Sequence, residues 1–95
     1  MSKSIISDER RCYLCGRRQH LERHHVFGAA KRKRADHDGL TVYLCHDCHN
    51  EPPHGVHHNA ETDRQLKQVG QAKWMRHYGR SKADFIAAYG KNYLD

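Results

Sequence analysis

The chain has no long hydrophobic run, only two prolines and only 8% aromatic residues. Apolar residues make up 37% of its 95 positions and its mean hydropathy is −1.04, so we expect a thin hydrophobic core. No segment has the roughly 20 consecutive apolar residues that a membrane-spanning helix needs. The N-terminal segment MSKSIISDERR also lacks the apolar stretch of a signal peptide. These absences predict a cytoplasmic protein with no membrane partner, folded as a single domain over residues 1–95.

Four cysteines form two Cys-x-x-Cys pairs, Cys12/Cys15 and Cys45/Cys48. Because no signal peptide is predicted, we expect reduced thiols that bind metal rather than disulfides. Four thiolates close a tetrahedral zinc site and leave no coordination position open, which is typical of a structural site. An iron–sulfur cluster is the less favoured alternative, and a redox role is disfavoured because the βαβ pattern around a thioredoxin-like motif is missing. A domain this small has a limited core, so a zinc ion would add to its stability.

Basic residues outnumber acidic ones, with 17 Lys and Arg against 11 Asp and Glu, which gives a formal net charge of +6. This balance favours a polyanionic partner. The densest basic run, KRKR, follows shortly after a pair of adjacent histidines. We interpret it as a loop that contacts phosphates, although a merely solvated loop is the simpler alternative. The predicted nucleic-acid-binding residues are Lys31, Arg32, Lys33 and Arg34.

Two strands are predicted in the first half of the chain. The first has Leu21 and then residues 26–27, Val-Phe, as its apolar positions. The second covers residues 40–45, LTVYLC, which are rich in β-branched and aromatic types, and it follows the turn sequence DHDG at 36–39. We therefore expect a β hairpin, after which the second cysteine pair opens into a short helix carrying His49.

The second half of the chain is predicted to be helical. Asn59 is a plausible N-cap for a helix that runs to about Tyr78 and ends at Gly79. A second, shorter helix begins with the capping-box pattern Ser81-x-x-Asp84. The apolar residues of this short helix that we expect to face inward are Phe85, Ile86 and Tyr89.

Histidines are concentrated in two places, the adjacent pair His24-His25 and the segment LCHDCHNEPPHGVHHN at 44–59. A histidine-rich run can be a solvated turn or an adventitious chelator. The pair is more informative, since it lies between the two cysteine pairs and precedes apolar residues. Adjacent strand residues face opposite ways unless a bend re-aims one of them, so one histidine could bind a metal while the other activates water.

The segments CYLCG, LERHHVFG and LTVYLCHDCHNEPPHGVHHN, in this order, resemble the HNH nucleases of the ββα-metal type, and the whole pattern is similar to small phage-borne HNH proteins. The resemblance covers residues 11–59. It implies an α+β fold in which a zinc-stapled ββα-metal hairpin-helix unit, about 11–59, carries C-terminal helices, about 60–90, packed on it. It also implies a phage or prophage origin.

The resemblance assigns roles to individual residues. It implies that His24 is a ligand of a catalytic metal, that His25 is the general base, and that His49 is the first metal ligand on the helix. The place of the family's middle asparagine falls near 39–40, Gly-Leu, so Asp38 is expected to take over the orienting role by bonding backbone amides across the turn.

The second metal ligand on the helix departs from the family pattern. In colicin-type members it lies four positions after the first, where this chain has Pro53. The ligand is therefore expected among His54, His57 and His58. We favour His57, because the two prolines and the following glycine suggest an enlarged loop.

The function implied is a metal-dependent endonuclease that hydrolyses DNA phosphodiester bonds, with weak sequence specificity. Imidazole ligands suit Mn²⁺, Ni²⁺, Co²⁺ or Zn²⁺ in the catalytic site, with Mg²⁺ a weaker activator. One alternative is a non-catalytic zinc-ribbon-like module that binds nucleic acid, and another is a nickel or zinc chaperone. A homodimer or a protein partner is left open, since a single-site nuclease needs two copies or two events for a double-strand break.

Overall fold

The computed structural model describes residues 3–94 and has an α+β arrangement of one two-stranded antiparallel sheet and four α-helices in that range. The elements in chain order are β1 (Leu21–His25), α1 (Arg32–Asp38), β2 (Thr41–Cys45), α2 (His46–Asn50), α3 (Ala60–Tyr78) and α4 (Lys82–Tyr89). Short 3-10 turns precede α1 at Ala29–Lys31 and α3 at Val56–His58. No helix within the described range is long and apolar enough to cross a membrane.

Strands β1 and β2 pair with each other along their whole length. In its antiparallel register, His24 lies opposite Val42 and His25 opposite Thr41. The pairing continues one step beyond the strand, where the Val26 amide donates to the Leu40 carbonyl at 3.0 Å. The expected antiparallel pairing of the two strands is therefore confirmed. β1 ends at His25, before the Val26 and Phe27 that were expected in it, and the strand predicted over 40–45 is observed as β2.

The connection between the two strands contains a helix where the sequence predicted a loop. The basic run lies in the 3-10 turn and in the first turn of α1. Lys, Arg and Ala are good helix formers, so a local charge run is as compatible with a helix as with a loop. The buried Ala35 holds α1 on the core, and Gly39, with φ of 80°, ends it.

An aromatic cluster joins the two C-terminal helices to the end of β1. The ring of Phe27 lies 4.9 Å from that of Tyr89, and Phe85 stacks on Tyr89 at 4.8 Å between centroids. Trp74 of α3 meets Phe85 edge-on at 5.4 Å. The inward positions predicted for Phe85 and Tyr89 are confirmed, but the one for Ile86 is wrong, since its side chain is 41% exposed. One residue turns a helix by about 100°, which moves Ile86 off the face that its neighbour buries.

The ends of α3 and α4 match the capping patterns of the sequence. The Asn59 side chain accepts a hydrogen bond from the Thr62 amide at 3.1 Å, and α3 ends at Gly79 with φ of 61°. At the start of α4, Ser81 and Asp84 form both hydrogen bonds of a capping box.

A glycine lets α3 pass close to the segment that follows β1. A Cβ atom at Gly70 would lie 3.0 Å from the Phe27 ring and 3.2 Å from the Val26 side chain. The close approach places α3 beside the strand that carries the adjacent histidines.

Candidate functional site

The four cysteines converge at one end of the sheet. Their sulfur atoms all lie within 4.8 Å of one another, and Sγ of Cys15 is 3.6 Å from Sγ of Cys45. All four are free thiols, and Cys12 and Cys45 are buried. Four sulfurs gathered in this way could hold a metal ion, and the set is compatible with structural zinc.

Backbone hydrogen bonds bring the two cysteine pairs together. The Tyr13 amide donates to the Tyr43 carbonyl at 2.8 Å, which fastens the first pair to β2. The turn between Cys12 and Gly16 is closed by a bond from the Gly16 amide to the Cys12 carbonyl at 2.9 Å, with Gly16 at φ 82°. The second pair needs no such device, since Cys45 ends β2 and the next helix begins at once.

Cys12 and Cys48 lie in environments that shift the pKa values of their thiols in opposite directions. Burial raises the pKa of a thiol, but backbone hydrogen bonds from Cys45, Cys15 and Leu14 outweigh it at Cys12 and lower its pKa to about 6. The pKa of Cys48 is raised by burial and by the neighbouring thiols. A divalent cation would offset part of the negative charge of four thiolates and so allow every sulfur to ionise.

Three histidines form a second cluster. Each of His24, His49 and His57 offers a ring nitrogen within 4.8 Å of the other two. The Nε2 atoms of His49 and His57 are 2.9 Å apart. The ring centroid of His24 lies 5.1 Å from the ring centroid of His49 and 5.4 Å from that of His57. The structure therefore brings together the three residues expected to bind a catalytic metal.

His24 carries the strongest sign that this cluster accommodates a cation. Its side chain is 4% exposed, and within the described part of the chain its buried Nε2 atom has no hydrogen-bond partner. Native interiors rarely leave such an atom unsatisfied, and a cation is a suitable partner for an imidazole lone pair. Burial, followed by the positive potential of His49 and His57, lowers the pKa of His24 to about 3, so the ring is neutral, as a metal ligand must be.

A glutamate that sequence analysis missed orients His49. Oε1 of Glu22 lies 2.8 Å from Nδ1 of His49 and accepts from the Asn50 side chain at 2.7 Å, while its other oxygen lies 3.1 Å from Nδ1 of His46. A carboxylate at Nδ1 favours the tautomer whose Nε2 lone pair points into the cluster. The available signal was strand alternation, since Glu22 and His24 are two positions apart on β1 and share a face.

The predicted general base, His25, has an acidic neighbour that sequence analysis also missed. Its Nε2 atom lies 3.2 Å from Oδ1 of Asp36, and Nε of Arg23 lies 3.8 Å from the same oxygen. His25 is partly exposed to a cleft that His24 also lines. The carboxylate holds one ring nitrogen of His25, so the other is available for proton transfer.

Asp38 occupies a different position from the one expected of an orienting residue. Instead of bonding backbone amides across the turn, its carboxylate accepts from the Trp74 indole at 3.0 Å and the Tyr89 hydroxyl at 2.7 Å. Its backbone carbonyl accepts from the Tyr78 hydroxyl at 2.8 Å. Asp38 is 8% exposed and joins the end of α1 to α3 and α4, so the orienting role assigned to it is wrong, and Asp36 is the carboxylate beside His25.

A cleft of about 650 Å³ opens over the histidine cluster. Its lining includes His24, His25 and His57, together with Lys31 and with Lys67 of α3. A cation bound to the cluster would therefore be open to a ligand from solvent.

The remaining predicted residues lie around this cleft or away from it. Of the basic run, Lys31 lines the cleft, whereas Arg34 forms an ion pair with Asp38 at 3.6 Å. Arg32 and Lys33 are exposed on α1. Among the alternatives for the last metal ligand, His58 lines the cleft outside the three-histidine cluster, and His54 is exposed.

Comparisons of the chain with protein-family models, curated proteins and solved structures found no match.

Proposed function

We propose that this protein is a metal-dependent endonuclease of the HNH, ββα-metal type that hydrolyses phosphodiester bonds in DNA. The observation that carries the proposal is the convergence of His24, His49 and His57 beside a cleft that His25 also lines. The buried Nε2 atom of His24, which has no hydrogen-bond partner among the described residues, supports a metal site beside this cleft.

His24, His49 and His57 would hold one divalent cation, with nitrogen donors that suit Mn²⁺, Co²⁺, Ni²⁺ or Zn²⁺ better than Mg²⁺. When bound, such a cation supplies Lewis-acid stabilisation of the negative charge that develops on the phosphate and on the leaving oxygen. Glu22 orients His49 for this task, and the neutral state of His24 leaves its lone pair available.

His25 is the general base in this proposal. The tautomer with its proton on Nε2 donates to Asp36, which leaves the Nδ1 lone pair to take a proton from a water molecule in the cleft. The water oxygen then forms a bond to phosphorus as the bond from phosphorus to the 3′ oxygen breaks, and the 3′ oxygen takes its proton from solvent. Asp36 prevents the imidazole ring from rotating away and stabilises the imidazolium that forms.

The two lysines at the cleft would hold the sugar–phosphate backbone. Lys31 and Lys67 both line the cleft, so a strand lying over the histidines would come near their two ammonium groups. Contacts of this kind carry no base information, which supports weak sequence specificity. Zinc in the cysteine cluster is proposed as the structural ion that fixes β2 and α2.

Plasmid nicking tests the proposal. Wild-type protein supplied with Mn²⁺, Ni²⁺, Co²⁺, Zn²⁺ or Mg²⁺ should convert supercoiled plasmid to open-circle DNA with at least one of these ions. His25→Ala should lower the rate by about 10²–10⁴, the usual contribution of a general base, while DNA binding measured by fluorescence anisotropy is retained.

His77→Ala is the matched control, because His77 is exposed in the last turn of α3. This variant should cut plasmid at the wild-type rate. Intact supercoiled plasmid with every ion would contradict the nuclease proposal. DNA binding without cutting would favour the zinc-ribbon-like module instead.

A further inference from the structure

A second cavity, of about 570 Å³, adjoins the catalytic cleft on the side of the C-terminal segment. Asp63, Lys67 and Tyr93 line both the cleft and this cavity, so the two are parts of one groove. The groove runs from the histidine cluster, past the first turns of α3, to the residues that follow α4.

The far part of the groove is basic. Arg64 lies one position after Asp63 on α3, and Lys91 follows α4; both are exposed and both line the second cavity. The ammonium group of Lys91 lies 5.4 Å from the Tyr93 ring centroid, and that of Lys67 lies 5.8 Å from the same centroid. Cations from a helix and from the terminal segment therefore surround one aromatic ring.

The described residues that line the groove carry a net positive charge. Within the part of the chain that the structure describes, the cations lining the two cavities are Lys31, Lys67, Arg64 and Lys91, and the acid lining them is Asp63. Asp63 is neutralised locally, because its carboxylate pairs with the Lys67 ammonium at 2.8 Å. A positively charged groove that extends over two adjoining cavities is complementary to a polyanionic strand.

We propose that the second cavity is a nucleic-acid subsite that holds the sugar–phosphate backbone of nucleotides flanking the phosphate to be cut. The proposal rests on the nuclease function proposed above and extends it to α3 and the C-terminal segment. The second cavity would supply phosphate contacts in addition to those of the basic run. Not every residue of that run can contribute, since Arg34 is paired with Asp38. Arg64 and Lys91 are the residues specific to this subsite.

Arg64→Gln/Lys91→Gln is the variant that tests the subsite. The matched control is Lys73→Gln/Arg76→Gln, which removes the same two charges. Lys73 follows Arg64 by about two and a half turns of α3, which places it on the opposite side of the helix. All four residues are exposed, so neither variant should disturb the fold.

The measurement is fluorescence anisotropy with a labelled single-stranded DNA of mixed sequence, over a range of KCl concentrations and without added divalent ions. Loss of two phosphate contacts should weaken binding about tenfold and reduce the magnitude of the slope of log Kd against log salt by about 1.4, since each contact to a single strand contributes about 0.7. The control variant should keep the wild-type slope. Equal Kd values and equal slopes for the two double variants would overturn the proposal.

Failure of the subsite and failure of the nuclease proposal give different results. If wild-type protein binds DNA through Arg64 and Lys91 but never nicks plasmid, the groove is supported and catalysis is not. If His25→Ala abolishes nicking while Arg64→Gln/Lys91→Gln binds like the control, catalysis is supported and the subsite is overturned.

Discussion

Removal of the Asp38 side chain should destabilise the fold without touching the histidine cluster. In Asp38→Ala, the Trp74 indole N–H and the Tyr89 hydroxyl lose their acceptor in a buried position. Each buried donor left unsatisfied costs about 1–3 kcal/mol, so for two donors we expect a loss of about 2–6 kcal/mol. A domain of this size has roughly 5–14 kcal/mol of stability in total, so the loss is a large part of it.

Urea unfolding of the zinc-loaded protein, followed by fluorescence, measures this loss directly. Trp74 is the single tryptophan of the chain and sits at the junction itself. Tyr89→Phe removes one of the two hydrogen bonds and should cost about 1 kcal/mol, which remains measurable if Asp38→Ala proves too unstable. Asp47→Ala is the control, because the ion pair of the Asp47 carboxylate with Arg17 is exposed and its loss should cost less than about 1 kcal/mol.

The pH dependence provides a second test. Burial would raise the pKa of Asp38, but hydrogen bonds from Tyr89, His37 and Trp74, with the nearby Arg34, outweigh it and lower the pKa. A carboxyl group whose pKa is lowered on folding stabilises the protein above its unfolded pKa of about 3.9, and this contribution is lost as the pH falls through the folded value. The stability difference between wild type and Asp38→Asn should therefore be constant from about pH 5 to 8 and shrink below about pH 4.

A value for Asp38→Ala within about 0.5 kcal/mol of wild type would refute the reasoning, because surface substitutions have effects of that size. Such a value would mean that water reaches the Trp74 indole N–H and the Tyr89 hydroxyl, or that Asp38 does not join α1 to α3 and α4.

Three further predictions concern the metal-binding residues and their neighbours. Metal analysis should find about one tightly held zinc per chain in the wild type and none in Cys45→Ser, and zinc retained by that variant would contradict the four-sulfur site. Glu22→Gln should weaken Mn²⁺ or Ni²⁺ binding to the histidine cluster by about 10–100-fold in isothermal titration calorimetry, whereas unchanged affinity would show that the carboxylate does not orient His49. Asp36→Asn should lower the kcat for nicking by about ten- to a hundredfold with little change in KM, and a change confined to KM would show that Asp36 acts on DNA binding and not through His25.

The features that the sequence predicted correctly are those that neighbouring residues determine. The β-branched and aromatic run at 40–45 forms a strand, and Asn59 caps α3 because its side chain needs only the backbone of the next turn. The same holds for the Ser81 and Asp84 capping box. The spacing of the cysteines within each pair also predicted the sulfur cluster correctly. Each pair is set by neighbouring residues, and only the approach of one pair to the other depends on the fold.

The features that were missed or misplaced depend on pairing between distant segments. Glu22 reaches His49 only because the register of β1 on β2 brings α2 over the strand. Asp36 reaches His25 because the segment between the strands folds as α1 and not as an open loop. Asp38 was assigned an orienting role because it lies next to the place where the HNH pattern has its middle asparagine, but the helices that bury it begin more than twenty residues later in the chain.

Cys48 and His49 are consecutive residues of the five-residue helix α2, and one belongs to the sulfur cluster while the other belongs to the imidazole cluster. A helix this short does not form on its own in water, so we expect zinc bound by the four thiolates to hold α2, and with it His49, in place. If the protein is the nuclease proposed above, newly synthesised chains should cut DNA only after they have acquired zinc. The structural ion would then have to bind before the catalytic one.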